Sequence, residues 1–184
     1  MRARRFDHGH VPVYRVVRQE WSDPLDASFS QRTSDRRWNT EDFPALYCCC
    51  STRVARAVAL DVFRVAGLEP EDLQPPARPR LAEIDWRGEV VDVVTEGGVA
   101  AAGFPAAYPR AVDRAATRSA GARWHAEDAE GVCARSASLE RAGVSRWSGD
   151  HRHYAELAIF VQNAKASPVL RSRREDDRWL HIAG

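Results

Sequence analysis

Arg15, Arg37, Trp38, Asn39, Tyr47 and Ser136 are the residues of this chain best suited, by type and place, to hold an anionic, partly aromatic ligand. The planar fork of an arginine gives paired, charge-assisted hydrogen bonds to phosphate oxygens. An aromatic ring stacks on a flat heterocycle, and a hydroxyl or amide fixes orientation. Each residue also has a structural reading. Arg15, in mid-strand, can make a cross-strand ion pair; Tyr47 and Trp38 can be core aromatics; Ser136 can be a turn residue between Arg135 and Ser138. What favours a site is their place at strand ends and in a long polar loop, where pockets of α+β domains are built.

Metal chemistry has less support in the spacing. The histidines come as His8-x-His10 and His151-x-His153, with His125 and His181 alone. Alternation puts each pair on one face of an extended chain, but no third ligand stands out and no metal is assigned. Cys48, Cys49 and Cys50 are consecutive and Cys133 is distant. Neighbours in a strand point to opposite faces, and the C-x2-C spacing of a zinc site is missing. The four cysteines read as reduced, buried thiols.

Several elements must position these groups. Residues 11–18 alternate as a strand carrying Arg15. Residues 19–43 are polar and read as a long functional loop ending near Arg36-Arg37-Trp38-Asn39. A short apolar run, 45–51, suits a buried strand opened by Tyr47. Ser51 or Thr52 then caps a helix over 53–66, apolar at 54, 55, 58, 62 and 65 and stopped by Gly67. Four prolines between 68 and 80 mark an extended connection. Residues 81–86 and 89–95 around Arg87-Gly88 read as a hairpin. A second helix starts at Pro109 and reaches toward Trp124, followed by a strand at 131–134 that leads to Ser136. Strands are expected at 154–161, 168–171 and 179–182. The result is a mixed α+β fold in a single compact domain, residues 1–184, with its core at about 12–165 and the last strands at 166–184.

Composition narrows the function classes. At 184 residues one domain is the default. With 27 basic and 26 acidic side chains, net charge +1, the chain lacks the one-signed balance of a general nucleic-acid binder. Apolar runs are too short and too interrupted to span a bilayer, and the arginine-bearing start has no apolar stretch behind it. The expected setting is the cytoplasm, without direct nucleic-acid or membrane contact.

The order Tyr14-Arg15-Val16, then Arg37-Trp38-Asn39, then Phe43-Pro44-Ala45-Leu46-Tyr47 before an alanine-rich helix, then Gly131-Val132 leading to Ser136, resembles the RES domain family. The resemblance implies an α+β fold similar to ADP-ribosyltransferases, with a mixed, twisted sheet flanked by helices. It also implies an NAD-consuming toxin, neutralised by an Xre-like DNA-binding antitoxin. NAD is then the substrate rather than a cofactor. Its nicotinamide–ribose bond would be cleaved by hydrolysis, by phosphorolysis with inorganic phosphate as co-substrate, or by ADP-ribosyl transfer. Arg15, Tyr47 and Ser136 match the family's arginine, tyrosine and serine. The family glutamate falls where this chain has Val58, and Asp61, one helical turn on, is the carboxylate expected to replace it. Asp61 pairing with Arg64 or Arg53 is the structural alternative. Arg37 would help hold the pyrophosphate. If the lost glutamate ended turnover, the chain would instead be a nucleotide- or partner-binding module. The oligomeric state is left open, a homodimer included.

Overall fold

The computed structural model describes residues 3–32, 36–147, 149–174 and 176–181, with the backbone alone at Pro76. Eight strands form one mixed sheet: β1 (Arg5–Asp7), β2 (Val13–Arg18), β3 (Ala45–Cys49), β4 (Pro79–Asp85), β5 (Glu89–Val93), β6 (Gly131–Arg135), β7 (Ala155–Phe160) and β8 (Val169–Arg174). They lie in the order β1-β5-β6-β7-β3-β2-β4-β8. All pairings are antiparallel except β5 with β6. β6 is buried along its whole length, as expected of a central strand covered on both faces.

Helices cover both sides. α1 (Thr52–Ala66) packs with α4 (Ala137–Arg141) and α5 (Arg178–His181) over an apolar layer that includes Leu46, Val54, Ala55, Phe63, Leu157 and Trp179. A second layer, with Trp38, Phe43, Val91, Trp124 and Phe160, includes buried residues of α2 (Glu96–Ala101) and α3 (Arg114–Ala126). α1 starts where the Ser51 hydroxyl accepts the Val54 N–H at 3.3 Å and stops at Gly67, whose φ of 66° suits a residue without a side chain. α3 lies so close to the preceding loop that a Cβ at Gly121 would fall on the Trp38 carbonyl.

Four expectations are corrected. Residues 81–86 and 89–95 do not pair with each other; β4 joins β2 and β8 while β5 joins β1 and β6, so the short link at Arg87-Gly88 connects strands that are not neighbours in the sheet. The second helix begins at Arg114, where the Asp113 side chain accepts the Ala116 N–H, and Pro109 sits in the turn that precedes it. Residues 178–181 form helix α5 rather than a strand; Ile182 lies outside the described residues. The buried stripe of α1 is Val54, Ala55, Ala59 and Phe63, which turns Val62 and Val65 to solvent. The polar 19–43 segment carries a 3-10 turn, Ser28–Arg32, and its residues 33–35 lie outside the described residues.

Candidate active site

β2 and β3 share one registered pair, Tyr14 with Cys49, whereas β2 pairs along its length with β4, and β3 with β7. The two strands therefore diverge, and a cavity of about 170 Å³ opens where they part. Arg15, Val16, Trp21, Phe29, Arg36, Tyr47, Val58 and Glu156 are in its wall. It adjoins a second cavity of about 260 Å³, with which it shares Arg15, Trp21 and Phe29. Only together do the two reach the roughly 300 Å³ at which sites for small organic ligands begin.

Arg15 is buried, and its Nη1 donates to the carbonyls of Pro24 at 2.6 Å and Asp26 at 2.9 Å. These bonds draw the 19–32 loop over the strand, and the guanidinium carbon lies 5.4 Å from the Trp21 ring centre. Burial pulls the guanidinium's pKa below its ordinary value. The cross-strand partner of Arg15 is Ala82, which excludes the cross-strand ion pair.

Tyr47 is held by its hydroxyl, which accepts the Trp38 N–H at 2.8 Å and donates to Asn39 Oδ1 at 2.9 Å. Burial pushes the phenol's pKa up to about 12, so it stays neutral. Asn39 is itself fixed: its Nδ2 donates to the carbonyls of Ser30, Thr40 and Phe43. Trp38 and Asn39, expected to bind the ligand, do not line either cavity. Both are almost wholly enclosed, Trp38 among Phe104, Tyr108 and Trp124, leaving no ring face for a heterocycle. Their part is to hold Tyr47.

Glu20, Asp23 and Asp26 line the larger of the two cavities, and the carboxylate in the wall of the smaller one, beside Tyr47 and Val58, is Glu156, on β7 opposite Cys49. Ser136 donates to its Oε1 at 2.6 Å. Ser136 has no exposed surface; its Oγ also accepts the Leu139 N–H and so caps α4. It lies behind the carboxylate rather than in the cavity wall. Arg37 lines a neighbouring groove with Arg141 and Asp113. Burial opposes its charge, but Glu156 and Tyr108 outweigh burial and raise its pKa above the ordinary value. Arg36, one residue earlier, joins Arg15 in the cavity wall, its guanidinium carbon 5.4 Å from the ring centres of both Phe29 and Tyr47.

Asp61 does not join this set. It lies in a groove between α1 and α4, where it accepts from Arg64 at 2.9 Å, Ser138 at 3.1 Å and the Arg141 fork. Partial burial opposes its charge, yet Arg141 and Arg64 hold the carboxyl down at about 2. The wall of the Arg15 cavity at that helix is Val58. A side chain three residues on sits too far round and along the helix, and its charge is already committed to two arginines.

Sequence reasoning missed Glu156 and Arg36. Glu156 had a signal, a lone carboxylate inside the apolar strand Ala-Glu-Leu-Ala-Ile-Phe. Arg36 had none, since a loop without periodicity does not distinguish it from Arg37. A larger cavity, about 690 Å³, lies among α2, the 104–110 turn and residues 144–147 and contains none of Arg15, Tyr47 or Glu156. Its Arg135 donates to the carbonyls of Val94 and Tyr108.

An α+β domain with one mixed sheet and a cleft between diverging strands, lined by arginines and carboxylates together, is the class that fold and site define. The RES domain family matches residues 12–180, and the chain belongs to it. Its fold is similar to a chain of the crystal structure of the M. tuberculosis MbcT-MbcA toxin-antitoxin complex, with a TM-score of 0.71 and 20% identity over 90% of this chain and 83% of that one. No curated protein matches the chain in sequence. No helix among the described residues is long and apolar enough to cross a membrane.

Proposed function

We propose that the chain is an NAD-consuming toxin that breaks the nicotinamide–ribose bond, with Glu156 in the role its family gives to a glutamate on α1. The observation that carries this reading is that Glu156 shares one cavity wall with Arg15, Tyr47 and Val58. The bond breaks with both electrons leaving on nicotinamide, and positive charge develops at the ribose carbon. A carboxylate fixed beside that carbon stabilises the charge more in the transition state than before it. Ser136, donating to Glu156, keeps the carboxylate in place. Arg15 and Arg36 supply cationic walls for the pyrophosphate, and the Tyr47 ring, pinned by Trp38 and Asn39, forms the floor for the nicotinamide or ribose. Water, a phosphate oxygen or a protein side chain then adds to the ribose carbon.

The family and the likeness to a toxin-antitoxin complex favour a neutralising protein partner, an Xre-like antitoxin, which need only cover the cleft mouth. The test combines nicotinamide release from NAD by the purified chain with growth of bacteria expressing it. Release and growth arrest are expected, both lost in Arg15→Ala and in Glu156→Gln, with arrest relieved by co-expression of the neighbouring gene. Val58 favours one second reading, a nucleotide-binding module without turnover. That reading would be upheld if NAD raised the melting temperature while no nicotinamide appeared.

A further inference from the structure

The sequence offered two histidine pairs and a cysteine triplet with no spacing that makes a metal site. The fold joins one member of each. His8 follows β1, Cys50 follows β3 and Cys133 is in the middle of β6; one ligand atom from each lies within 4.8 Å of the other two, and all three residues are buried. The two sulfurs are 4.0 Å apart. A disulfide would need about 2.05 Å, so the pair stands as free thiols. None of the three lines the cleft described above.

The imidazole of His8 is the unusual part. It is 4% exposed, and neither ring nitrogen has a hydrogen-bond partner. A buried polar ring left this way is costly, and native structures pair such groups. A hydrogen bond between the thiols accounts for the cysteines but not for His8. A fourth group stands beside it: the His151 ring lies edge-on to that of His8 with centroids 5.6 Å apart, and its Nε2 is likewise buried without a partner. Its Nδ1 is 3.8 Å from Asp150 Oδ1.

We propose that His8, Cys50 and Cys133, with Nε2 of His151 as the fourth ligand, bind a zinc-class divalent cation. Two thiolates and two neutral imidazoles are the donor set such a cation takes, and the two thiol protons are released as it binds. Bond lengths of about 2.3 Å to sulfur and 2.0 Å to nitrogen give a tetrahedron with edges of about 3.3–3.8 Å, so the separations among His8, Cys50 and Cys133, all within 4.8 Å, close with small side-chain shifts, and the His151 ring turns in to complete the set. Asp150, whose Oδ1 is 3.8 Å from Nδ1 and which also accepts from Arg152, stands where an outer carboxylate would orient the ligating histidine once the ring turns toward the cation. The cation would tie the edge strand β1 to the centre of the sheet and to the 149–154 loop. His8 precedes residue 12, where the family match begins, so this clamp draws on sequence outside that match.

The test uses the full chain, kept reduced and stripped with a chelator, then titrated with Zn²⁺ and Co²⁺. One equivalent of Co²⁺ is expected to give the intense absorption of a tetrahedral site with thiolate charge-transfer bands, displaced by one equivalent of Zn²⁺. Zn²⁺ should also raise the melting temperature. Cys50→Ser, Cys133→Ser and His8→Ala each weaken binding at least about tenfold, whereas His10→Ala, at the exposed neighbouring histidine, leaves it unchanged. Failure of wild type to take up an equivalent, a cobalt spectrum without thiolate bands, or undiminished binding in the serine variants would overturn the site. So would a Cys50–Cys133 disulfide in the freshly isolated chain. Should the variants not fold, the wild-type cobalt spectrum decides alone.

Discussion

Glu156 and Tyr47 are positioned in different ways, and the difference can be measured. Glu156→Gln keeps an acceptor for Ser136 but loses the charge, so nicotinamide release should fall about 100-fold or more. The melting temperature should move by less than about 4 °C, the equivalent of 1 kcal/mol in a domain of this size. A variant that kept its rate would remove the carboxylate from the mechanism. Tyr47→Phe acts on the fold instead. It leaves the Trp38 N–H and Asn39 Oδ1 without their shared hydroxyl, and should cost about 1–3 kcal/mol in urea unfolding with the slope unchanged. That Arg15 and Tyr47 stand at one cavity was legible from their types and strand positions. Asp61 was placed by helical spacing alone, and spacing does not report which arginines approach from a distant helix.

The α1–α4 groove gives a prediction in pH. The Asp61 carboxyl is held at about 2, below its ordinary 3.8. Its contribution is therefore fully present above pH 4 and lost as the pH falls toward 2. The side chains of Arg141 and Arg64 are 43% and 63% exposed, so screening reduces the clamp to about 1 kcal/mol. Asp61→Asn should lower stability by that amount at neutral pH, approach wild type only below pH 2, where the carboxyl is protonated in the folded chain as well, and leave nicotinamide release intact. At the other end of α1, Ser51→Ala should cost about 1 kcal/mol by removing the acceptor for the Val54 N–H, read from the thermal midpoint. The cap and the glycine stop of this helix were legible because they are local signals. The two strands around Arg87-Gly88 were not, because a short polar link reads locally as a hairpin, and only the sheet shows that the strands it joins pair elsewhere.

The sheet as a unit was legible as to class and not as to order. Strand content and helical periodicity gave α+β, but β1 is three residues long and has no alternation to detect. It matters nonetheless, since Arg5, Phe6 and Asp7 pair with Val91, Val90 and Glu89 and close one side of the sheet. A chain lacking residues 1–11 should unfold at a lower urea concentration than the full chain, with β5 newly exposed as an edge. Equal midpoints would show that β1 adds nothing. The opposite edge, β8, carries Arg171, Arg173 and Arg174, charges that discourage a second molecule from adding a strand there.

The pairing of β1 with β5 has a consequence for biosynthesis. β1 leaves the ribosome before its only neighbour in the sheet has been made, and β5 begins at Glu89. At about 5–20 residues per second the strand waits for several seconds with its backbone unpaired. The earliest segment is thus among the last to dock, and a translational pause between residues 20 and 90 would lengthen the time in which a chaperone or protease can reach it.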